Sequence, residues 1–199
     1  AESEVCQLNA TSGAVTMVSE ETFDLLSAAA TAQRESGGRY NPLMLSQLEH
    51  HGYRLPWGNA MPLANVGPVE PGACETITIY PEIRAVRLPL GHRFAPGGIG
   101  KGLAADRVMA KAVARNPQGV SIELGGDLRV YGTPWYGSNW RIGVVDPFND
   151  AAEVASFTPR DGAVTTSSTL RRSWANGNHH LHHLLDPQTG QPAETDIVA

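Results

Sequence analysis

Residues 94–107 read FAPGGIGKGLAADR, and the rest of the chain is organised around this stretch. Three glycines, Gly97, Gly98 and Gly100, precede an alanine-rich segment. The apolar residues of that segment recur at helical spacing and are Leu103, Val108, Met109 and Val113. The stretch therefore predicts a loop that leads into a helix running from about Lys101 to Arg115.

A loop of this kind has the chemistry to bind an anion. Glycine lets the backbone approach a ligand closely, and the first turn of a helix presents unpaired N–H groups with a partial positive charge. Lys101 would add a full charge. The stretch matches neither the G-x-G-x-x-G fingerprint nor the G-x-x-x-x-G-K-[ST] phosphate loop. Because glycine-rich turns before helices more often only reverse the chain, phosphate binding and plain chain reversal both stay open.

The composition is that of a folded globular chain. With 199 residues, of which 41% are apolar, the chain can bury a core as one domain or as two closely packed lobes. The 15 basic and 20 acidic residues give a net charge of -5, and no block of Lys or Arg is present, so we expect no nucleic-acid partner. No apolar run approaches the roughly 20 residues needed to span a bilayer. Cys6 and Cys74 have no motif around them, and we expect both to be unpaired.

Before the glycine stretch the sequence predicts a short strand or extended piece over 14–18, then helices, then two strands. Ser19, with acids directly after it, is typical of a helix start, and Ser36-Gly37-Gly38 should end that helix after Arg34. The other predicted elements are a helix over 43–50, a proline-rich surface loop over 55–72, and strands over 76–80 and 85–90.

After the glycine stretch the sequence predicts mainly strands. We expect a buried strand over 120–124 that is interrupted at its end by Gly125-Gly126-Asp127, where glycines indicate either a bulge or a group pressed against the backbone. Further strands are expected over 140–146, 163–167 and 179–183. Helices and strands mix without a regular βαβ rhythm, which favours an α+β architecture with mixed sheets and packed helices.

Several predicted strand ends carry groups suited to a binding cleft. Asp127 and Asp186 lie beside glycines, where a carboxylate can reach a ligand or a hard cation such as Mg²⁺, or can simply cap its own turn. A run of hydroxyl residues, 165–169, precedes Arg171 and Arg172, which would pair with phosphate or remain solvated.

The histidines of 179–183 offer either a base or a metal patch. The imidazole of His183, three residues before Asp186, can accept a proton from a hydroxyl at neutral pH. Strand alternation would place His180 and His182 on one face and His179 and His183 on the other, which argues against a shared metal.

The ordered set of motifs identifies a family. SEVCQLN, SGGRYNP, GGIGKGLAADR, ELGGDLRVYG, WRIGVVDP, AVTTSSTLRRSW and HHLLDPQTGQPA occur in that order along nearly the whole chain. This order resembles the ApbE family of FAD:protein FMN transferases. The resemblance implies a single ApbE-like domain over residues 1–199, related to the T-fold, around a flavin cleft. We expect this stretch to lack the family's first strand and its C-terminal metal-ligand segment.

The resemblance also implies a chemistry. Such enzymes split FAD at its pyrophosphate, pass FMN to a Thr or Ser hydroxyl of an acceptor protein, and release AMP, with Mg²⁺ beside the pyrophosphate. The alternatives are a FAD-binding carrier protein without transfer activity and a FAD pyrophosphatase of the same fold. The family's usual place is the bacterial cell envelope, at the outer face of the cytoplasmic membrane or in the periplasm, with the cytoplasm as the alternative. Membrane association is expected only through a segment outside this stretch.

Carried over position by position, the resemblance assigns roles to residues of this chain. His183 would be the base for the acceptor hydroxyl, and the Gly98 carbonyl would face the metal. The residues implied to contact or line the flavin site are Arg39, Tyr40, Asn41, Ala95, Lys101, Asp127, Thr166, Ser167 and Asp186. Two of the family's usual residues differ: Ala95 replaces an Asp, so no carboxylate makes that flavin contact, and Ser168 replaces a Gly.

Overall fold

The computed structural model describes residues 3–53, 75–176 and 179–198. The helices are α1 (Glu4–Ala10), α2 (Glu20–Glu35), α3 (Leu45–His50) and α4 (Gly100–Val113). The strands are β1 (Thr16–Met17), β2 (Thr78–Tyr80), β3 (Ala85–Arg87), β4 (Gly119–Leu124), β5 (Asp127–Gly132), β6 (Ile142–Asp146), β7 (Asn149–Phe157), β8 (Gly162–Val164), β9 (Ser173–Asn176) and β10 (His179–His182). Short 3₁₀ turns cover Pro81–Ile83 and Pro96–Gly98. The predicted mixture of helices and sheets is confirmed.

The chain divides into two units. Unit 1 comprises Ala1–Ile99 and Arg172–Thr195, and unit 2 comprises Gly100–Arg171 and Asp196–Ala199. The assignment of residues 1–199 to a single domain remains a prediction. The predicted loop over 55–72 and Cys74 lie outside the described residues, whereas Cys6 is exposed and its thiol is free.

Unit 1 holds α1, α2 and α3, a three-stranded antiparallel sheet in the order β1-β3-β2, and the antiparallel hairpin β9-β10. Its core is a cluster of buried side chains. Burial of each larger side chain contributes on the order of 2 kcal/mol to the free energy of folding. The cluster consists of Leu8, Leu26, Ala29, Leu43, Ile77, Val86, Leu88 and Phe94. The ring of Tyr40 packs against this cluster, which brings one predicted site residue to the edge of the core.

Helix caps in unit 1 follow the sequence closely. The Ser19 hydroxyl accepts a hydrogen bond from the Thr22 amide at 3.3 Å, and α2 ends at Ser36. Gly37 and Gly38 then have φ values of 62° and 82°, a region in which other residues are strained. Both predicted ends of this helix are confirmed. Helix α1 was not predicted, although Ser3 caps it by accepting from the Cys6 amide at 3.2 Å.

Unit 2 places α4 against β4 and β5, in the antiparallel sheet β4-β5-β8, and adds the antiparallel hairpin β6-β7. The buried side chains include Ala105 and Met109 of α4 and Val130 of β5. The strand predicted over 120–124 is present as β4, but it is not buried, because it alternates exposed and partly buried residues from Val120 onwards. Such alternation is typical of an antiparallel sheet that is covered on one face.

Gly125-Gly126-Asp127 contains no bulge, but the alternative of a group against the glycine backbone is met by the Lys101 side chain at Gly125. β4 and β5 pair directly, with Leu124 opposite Asp127, so Gly125 and Gly126 form a two-residue hairpin turn. Their φ values of 58° and 89° are those that a turn of this type requires at both central positions. The turn delivers Asp127 to the first position of β5.

Candidate functional site

The predicted site residues divide between the two units. Those in unit 1 are Arg39, Tyr40, Asn41, Ala95, Gly98, His183 and Asp186. Those in unit 2 are Lys101, Asp127, Thr166 and Ser167. The two sets are therefore described in turn, and their roles in binding or catalysis remain predictions.

The glycine turn rests on the chain segment that begins at Tyr40. The Ala95 amide donates a 2.8 Å hydrogen bond to the Pro42 carbonyl just before the 3₁₀ turn Pro96–Gly98. A Cβ atom built on Gly98 would lie 2.7 Å from Cε2 of Tyr40, closer than real Cβ contacts come. Glycine at 98 thus lets the backbone approach the Tyr40 ring.

Tyr40 combines a packed ring with a buried hydroxyl. Within the described part of the chain, that hydroxyl has no hydrogen-bond partner. Burial raises the pKa of Tyr40 to about 12, so the phenol is protonated at neutral pH. A protonated phenol can donate a hydrogen bond to a ligand oxygen.

Arg39 and Asn41 flank Tyr40 in the chain. The Asn41 side-chain oxygen accepts a 2.9 Å hydrogen bond from the Leu43 amide, which fixes the local turn. Arg39 is exposed. Tyr40, between them, packs against the core cluster.

His183 lies directly after β10 and is partly buried. Its Nδ1 atom is 3.4 Å from the Arg172 carbonyl oxygen. Its ring stacks on that of Tyr53, with centroids 6.5 Å apart and planes inclined by 28°. The imidazole of the predicted base therefore contacts a backbone oxygen through Nδ1 and the Tyr53 ring through one of its faces.

The turn after His183 is closed by Asp186. The Asp186 carboxylate accepts a 2.8 Å hydrogen bond from the Gln188 amide, and its carbonyl accepts one of 2.8 Å from the Gly190 amide. This is the turn-capping role that the sequence left open for Asp186. It occupies one carboxylate oxygen, Oδ1.

One segment of unit 1, residues 40–53, contacts both the glycine turn and the turn at Asp186. At its start, Pro42 and Leu45 bond to the chain that precedes the glycine turn, at Ala95 and Arg93. At its end, His51 Nε2 lies 2.9 Å from the Gly190 carbonyl oxygen. Helix α3 joins these points, and a helix of that length rises about 9 Å. The glycine turn and the turn at Asp186 are therefore attached to the two ends of the same segment, which are separated by about the length of α3.

Two neighbouring histidines have structural partners. His51 is buried, and its Nε2 atom lies 2.9 Å from the Gly190 carbonyl oxygen. His182 is also buried, and its Nε2 atom lies 3.2 Å from the Ala193 carbonyl. Both residues fix the chain that follows His183.

In unit 2, Lys101 lies in the first turn of α4 and reaches the β4-β5 turn. Its ammonium donates a 3.0 Å hydrogen bond to the Gly125 carbonyl and pairs with the Asp127 carboxylate at 3.1 Å. The side chains of Lys101 and Asp127 are 34% and 17% exposed, so the lysine charge still meets solvent. A helix N-terminus with a cation at this position suits an anionic group.

A cavity of about 50 Å³ lies beside this pair. Its walls include Ala105 and Asp106 of α4, Asp127 and Arg129 of β5, and Thr165. Ligand pockets are usually roughly 300–1,000 Å³, so this cavity alone does not hold a dinucleotide. The assignment of Asp127 to a flavin cleft remains a prediction.

Arg129 forms an ion-pair network that the sequence did not predict. Its guanidinium bonds to the Asp161 carboxylate, to Asp106 Oδ1 at 3.2 Å and to the Gly162 carbonyl at 3.0 Å. The hydrogen bond that Arg129 donates to the Asp161 carboxylate is the largest cause of the raised pKa of Arg129. The network ties α4, β5 and β8 together.

The predicted hydroxyl residues Thr166 and Ser167 follow β8 and are exposed. The next hydroxyl, that of Ser168, donates a 2.9 Å hydrogen bond to the Val198 carbonyl. Thr169 bonds to the same carbonyl through its amide at 3.1 Å. The loop carrying Thr166 and Ser167 is thereby fixed at its far end.

Residues 3–53, 75–176 and 179–198 contain neither a cluster of metal-ligating side chains nor a membrane-spanning helix. These residues contain no group of three or more His, Cys, Asp or Glu side chains placed to hold a metal ion. None of the helices in these ranges has the length and apolar character needed to cross a membrane.

Comparison with known proteins gives a family match and close structural likeness. The model of the ApbE family matches residues 1–199. The FAD:protein FMN transferase of Klebsiella pneumoniae (strain 342) is 30% identical over 207 residues, covering 99% of this chain and 62% of that protein. The FAD:protein FMN transferase of Treponema pallidum (strain Nichols) is 26% identical over 227 residues, covering 98% and 59%.

A solved structure agrees with these sequence matches. The crystal structure of the ApbE protein from Thermotoga maritima has a TM-score of 0.82 and 28% identity, and the match covers 96% of this chain and 63% of that one. The chain spans 62% and 59% of the two curated relatives.

Proposed function

Because the chain belongs to the ApbE family, we propose that it acts in flavin transfer, moving FMN from FAD to a Thr or Ser hydroxyl of an acceptor protein and releasing AMP. FAD is a substrate in this proposal, and the acceptor protein is the partner. We place the reaction in the bacterial cell envelope. The names of the relatives, FAD:protein FMN transferases, support the flavin chemistry.

One observation carries the proposal. A single segment, 40–53, anchors the chain before the glycine turn through Pro42 and contacts His183 through Tyr53. The same segment holds the turn at Asp186 through His51. A phosphate-binding loop and a base must be fixed on a common support if one substrate is to reach both. This segment is such a support.

The proposed reaction is a phosphoryl transfer in which all atoms balance. The acceptor hydroxyl attacks the FMN phosphorus while its proton passes to Nε2 of His183. The new oxygen–phosphorus bond forms as the pyrophosphate bond breaks, and the bond's electron pair leaves with AMP. Negative charge develops on the pyrophosphate oxygens as this bond breaks, and the family resemblance assigns Lys101, whose ammonium is partly exposed, to FAD.

The magnesium dependence implied by the family is a separate proposal. A bound Mg²⁺ would neutralise charge on the pyrophosphate, and the Gly98 carbonyl is its predicted ligand in this chain. The steps above do not use the ion, so the transfer proposal stands apart from the magnesium proposal. Comparing transfer rates with Mg²⁺ and after chelation tests this point on its own.

The central experiment compares His183→Ala with His180→Ala. His180 is exposed on the same hairpin, so its loss controls for removing an imidazole near the site. FAD binding is measured by flavin fluorescence, and transfer by covalent flavin on an acceptor domain with an exposed Thr. We expect His183→Ala to lose transfer by about 100-fold or more while FAD binding stays within about twofold. His180→Ala should keep both.

The outcomes separate the alternatives. Wild-type chain that binds FAD without transfer supports the carrier protein. Release of FMN and AMP without an acceptor supports the pyrophosphatase. If His183→Ala keeps its transfer rate per bound FAD, His183 is not the base.

A further inference from the structure

We propose that Tyr53 is a positioning residue for His183, and that Trp174 holds Tyr53 in place. The proposal rests on the proposed function only in assigning a proton-transfer role to His183. It concerns the set of three rings formed by Tyr53, Trp174 and His183, called here the aromatic triplet. These residues come from two distant parts of the chain and meet in unit 1.

The backbone at Tyr53 is fixed by the end of α3. The Gly52 amide donates a 3.0 Å hydrogen bond to the Glu49 carbonyl, and the Tyr53 amide donates one of 2.9 Å to the Leu48 carbonyl. Gly52 has φ of 92°. This pair of bonds with a left-handed glycine is the Schellman motif, which closes a helix in one defined geometry. Tyr53 therefore leaves α3 in a set direction.

Trp174 restrains the Tyr53 ring. The two ring centroids are 5.6 Å apart, with planes inclined by 51°. The Trp174 indole N–H donates a 2.7 Å hydrogen bond to the His51 carbonyl, two residues before Tyr53. A Cβ atom on Gly52 would lie 3.3 Å from that indole nitrogen, so the contact leaves little space. The indole is thus bonded to the same helix end that carries Tyr53.

A contact with Arg172 determines which nitrogen of His183 carries the proton. Arg172 touches both rings: its carbonyl oxygen is 3.4 Å from His183 Nδ1, and its Nη1 atom is 3.5 Å from the Tyr53 hydroxyl. A carbonyl oxygen only accepts, so a hydrogen bond there requires the proton on Nδ1. The lone pair of the neutral imidazole is then on Nε2.

The stacked Tyr53 ring supports this arrangement because it limits rotation of the imidazole about its bond to Cβ. Centroids 6.5 Å apart lie within the range of offset aromatic pairs, at its long end. Without the flat ring, His183 can turn away from the Arg172 carbonyl and exchange tautomers. A base displaced by about 1 Å can lose a factor of about 100 in rate.

The test uses two readouts on the full chain, one of which needs no activity. Nitrogen-15 NMR of labelled histidine reports the tautomer of His183, assigned from His183→Ala. The variants are Tyr53→Phe, which keeps the ring, and Tyr53→Leu, which removes it. Tyr136→Leu is the control, because Tyr136 is an exposed aromatic residue of unit 2.

We expect wild type, Tyr53→Phe and Tyr136→Leu to show the Nδ1–H form. Tyr53→Leu should show a mixture of tautomers, with kcat lower by about 10- to 100-fold and KM for FAD within about twofold. If Tyr53→Leu does not fold, Tyr53→Met replaces it, since Met fills irregular space without a flat ring.

Two results overturn the proposal. One is an Nε2–H tautomer in the wild type, which contradicts the Arg172 contact. The other is a folded Tyr53→Leu or Tyr53→Met variant that keeps the Nδ1–H form and an unchanged kcat. If the wild type transfers no FMN, the proposed function fails, and the tautomer measurement still decides whether Tyr53 positions the imidazole.

Discussion

Replacement of Gly98 by alanine tests the contact that fixes the glycine turn. The new Cβ would lie 2.7 Å from Cε2 and 3.5 Å from Cδ2 of Tyr40. Ordinary contacts begin near 3.4 Å, so the ring or the turn must move by about 0.7 Å. Tyr40 cannot move freely, because its ring packs against the core cluster and its hydroxyl is buried.

Overpacking of this kind typically costs about 1–3 kcal/mol, and the same loss is expected in the free energy of unfolding of Gly98→Ala. Gly97→Ala is the matched control. It changes the adjacent residue of the same 3₁₀ turn, and a Cβ there meets nothing within 4 Å. Urea unfolding should therefore show a change within about 0.5 kcal/mol for Gly97→Ala.

A double-mutant cycle identifies Tyr40 as the cause. Tyr40→Leu removes the Cε2 atom, so Gly98→Ala should cost little in that background, which gives a coupling energy of about 1–2 kcal/mol. Equal stabilities of Gly97→Ala and Gly98→Ala would refute the reasoning, as would a Gly98→Ala cost that persists in Tyr40→Leu.

Three further predictions concern Tyr40 and Lys101. Tyr40→Phe should leave the unfolding free energy unchanged or raise it by about 1 kcal/mol, because the hydroxyl has no partner among the described residues. The folded pKa of Tyr40 is raised from 10.0 to about 12, so its contribution to stability should be present below pH 10 and lost as the pH rises towards 12, and this loss should be absent in Tyr40→Phe. Lys101→Met should cost under about 1 kcal/mol in urea unfolding, since its pair with Asp127 is partly exposed, yet weaken FAD binding by about 10-fold. An unchanged FAD affinity would remove Lys101 from the site.

The helices around Ser19 and Lys101 were predictable because local signals define them. The Ser19 cap and the glycines after Ser36 define the two ends of α2, and the spacing of apolar residues identifies α4. Helix α1 was missed although it has a serine cap, because its seven residues contain one buried side chain, Leu8. A short helix with so few buried residues has no strong apolar period in sequence.

The strands of unit 2 show where local reasoning fails. β5 begins directly after a two-glycine turn, and the sequence alone does not distinguish that turn from a bulge, since glycine serves both. β7 reads NDAAEVASF and is exposed at nearly every position. Alanine, Asn and Asp are depleted in strands, so β7 forms through its pairing with β6 rather than through its own propensity.

The candidate site divides in the same way between local and long-range determinants. The glycine turn and the Asp186 turn are local patterns, and both occur where the sequence predicts them. The contacts that support His183 are different in kind, because Tyr53 and Trp174 come from segments far apart in sequence. No period or motif links them. Their meeting depends on the direction in which α3 ends and on the pairing of β9 with β10, and both are fixed only when unit 1 folds. A base can therefore be proposed from sequence, whereas the residues that orient its imidazole can be found only in the folded unit.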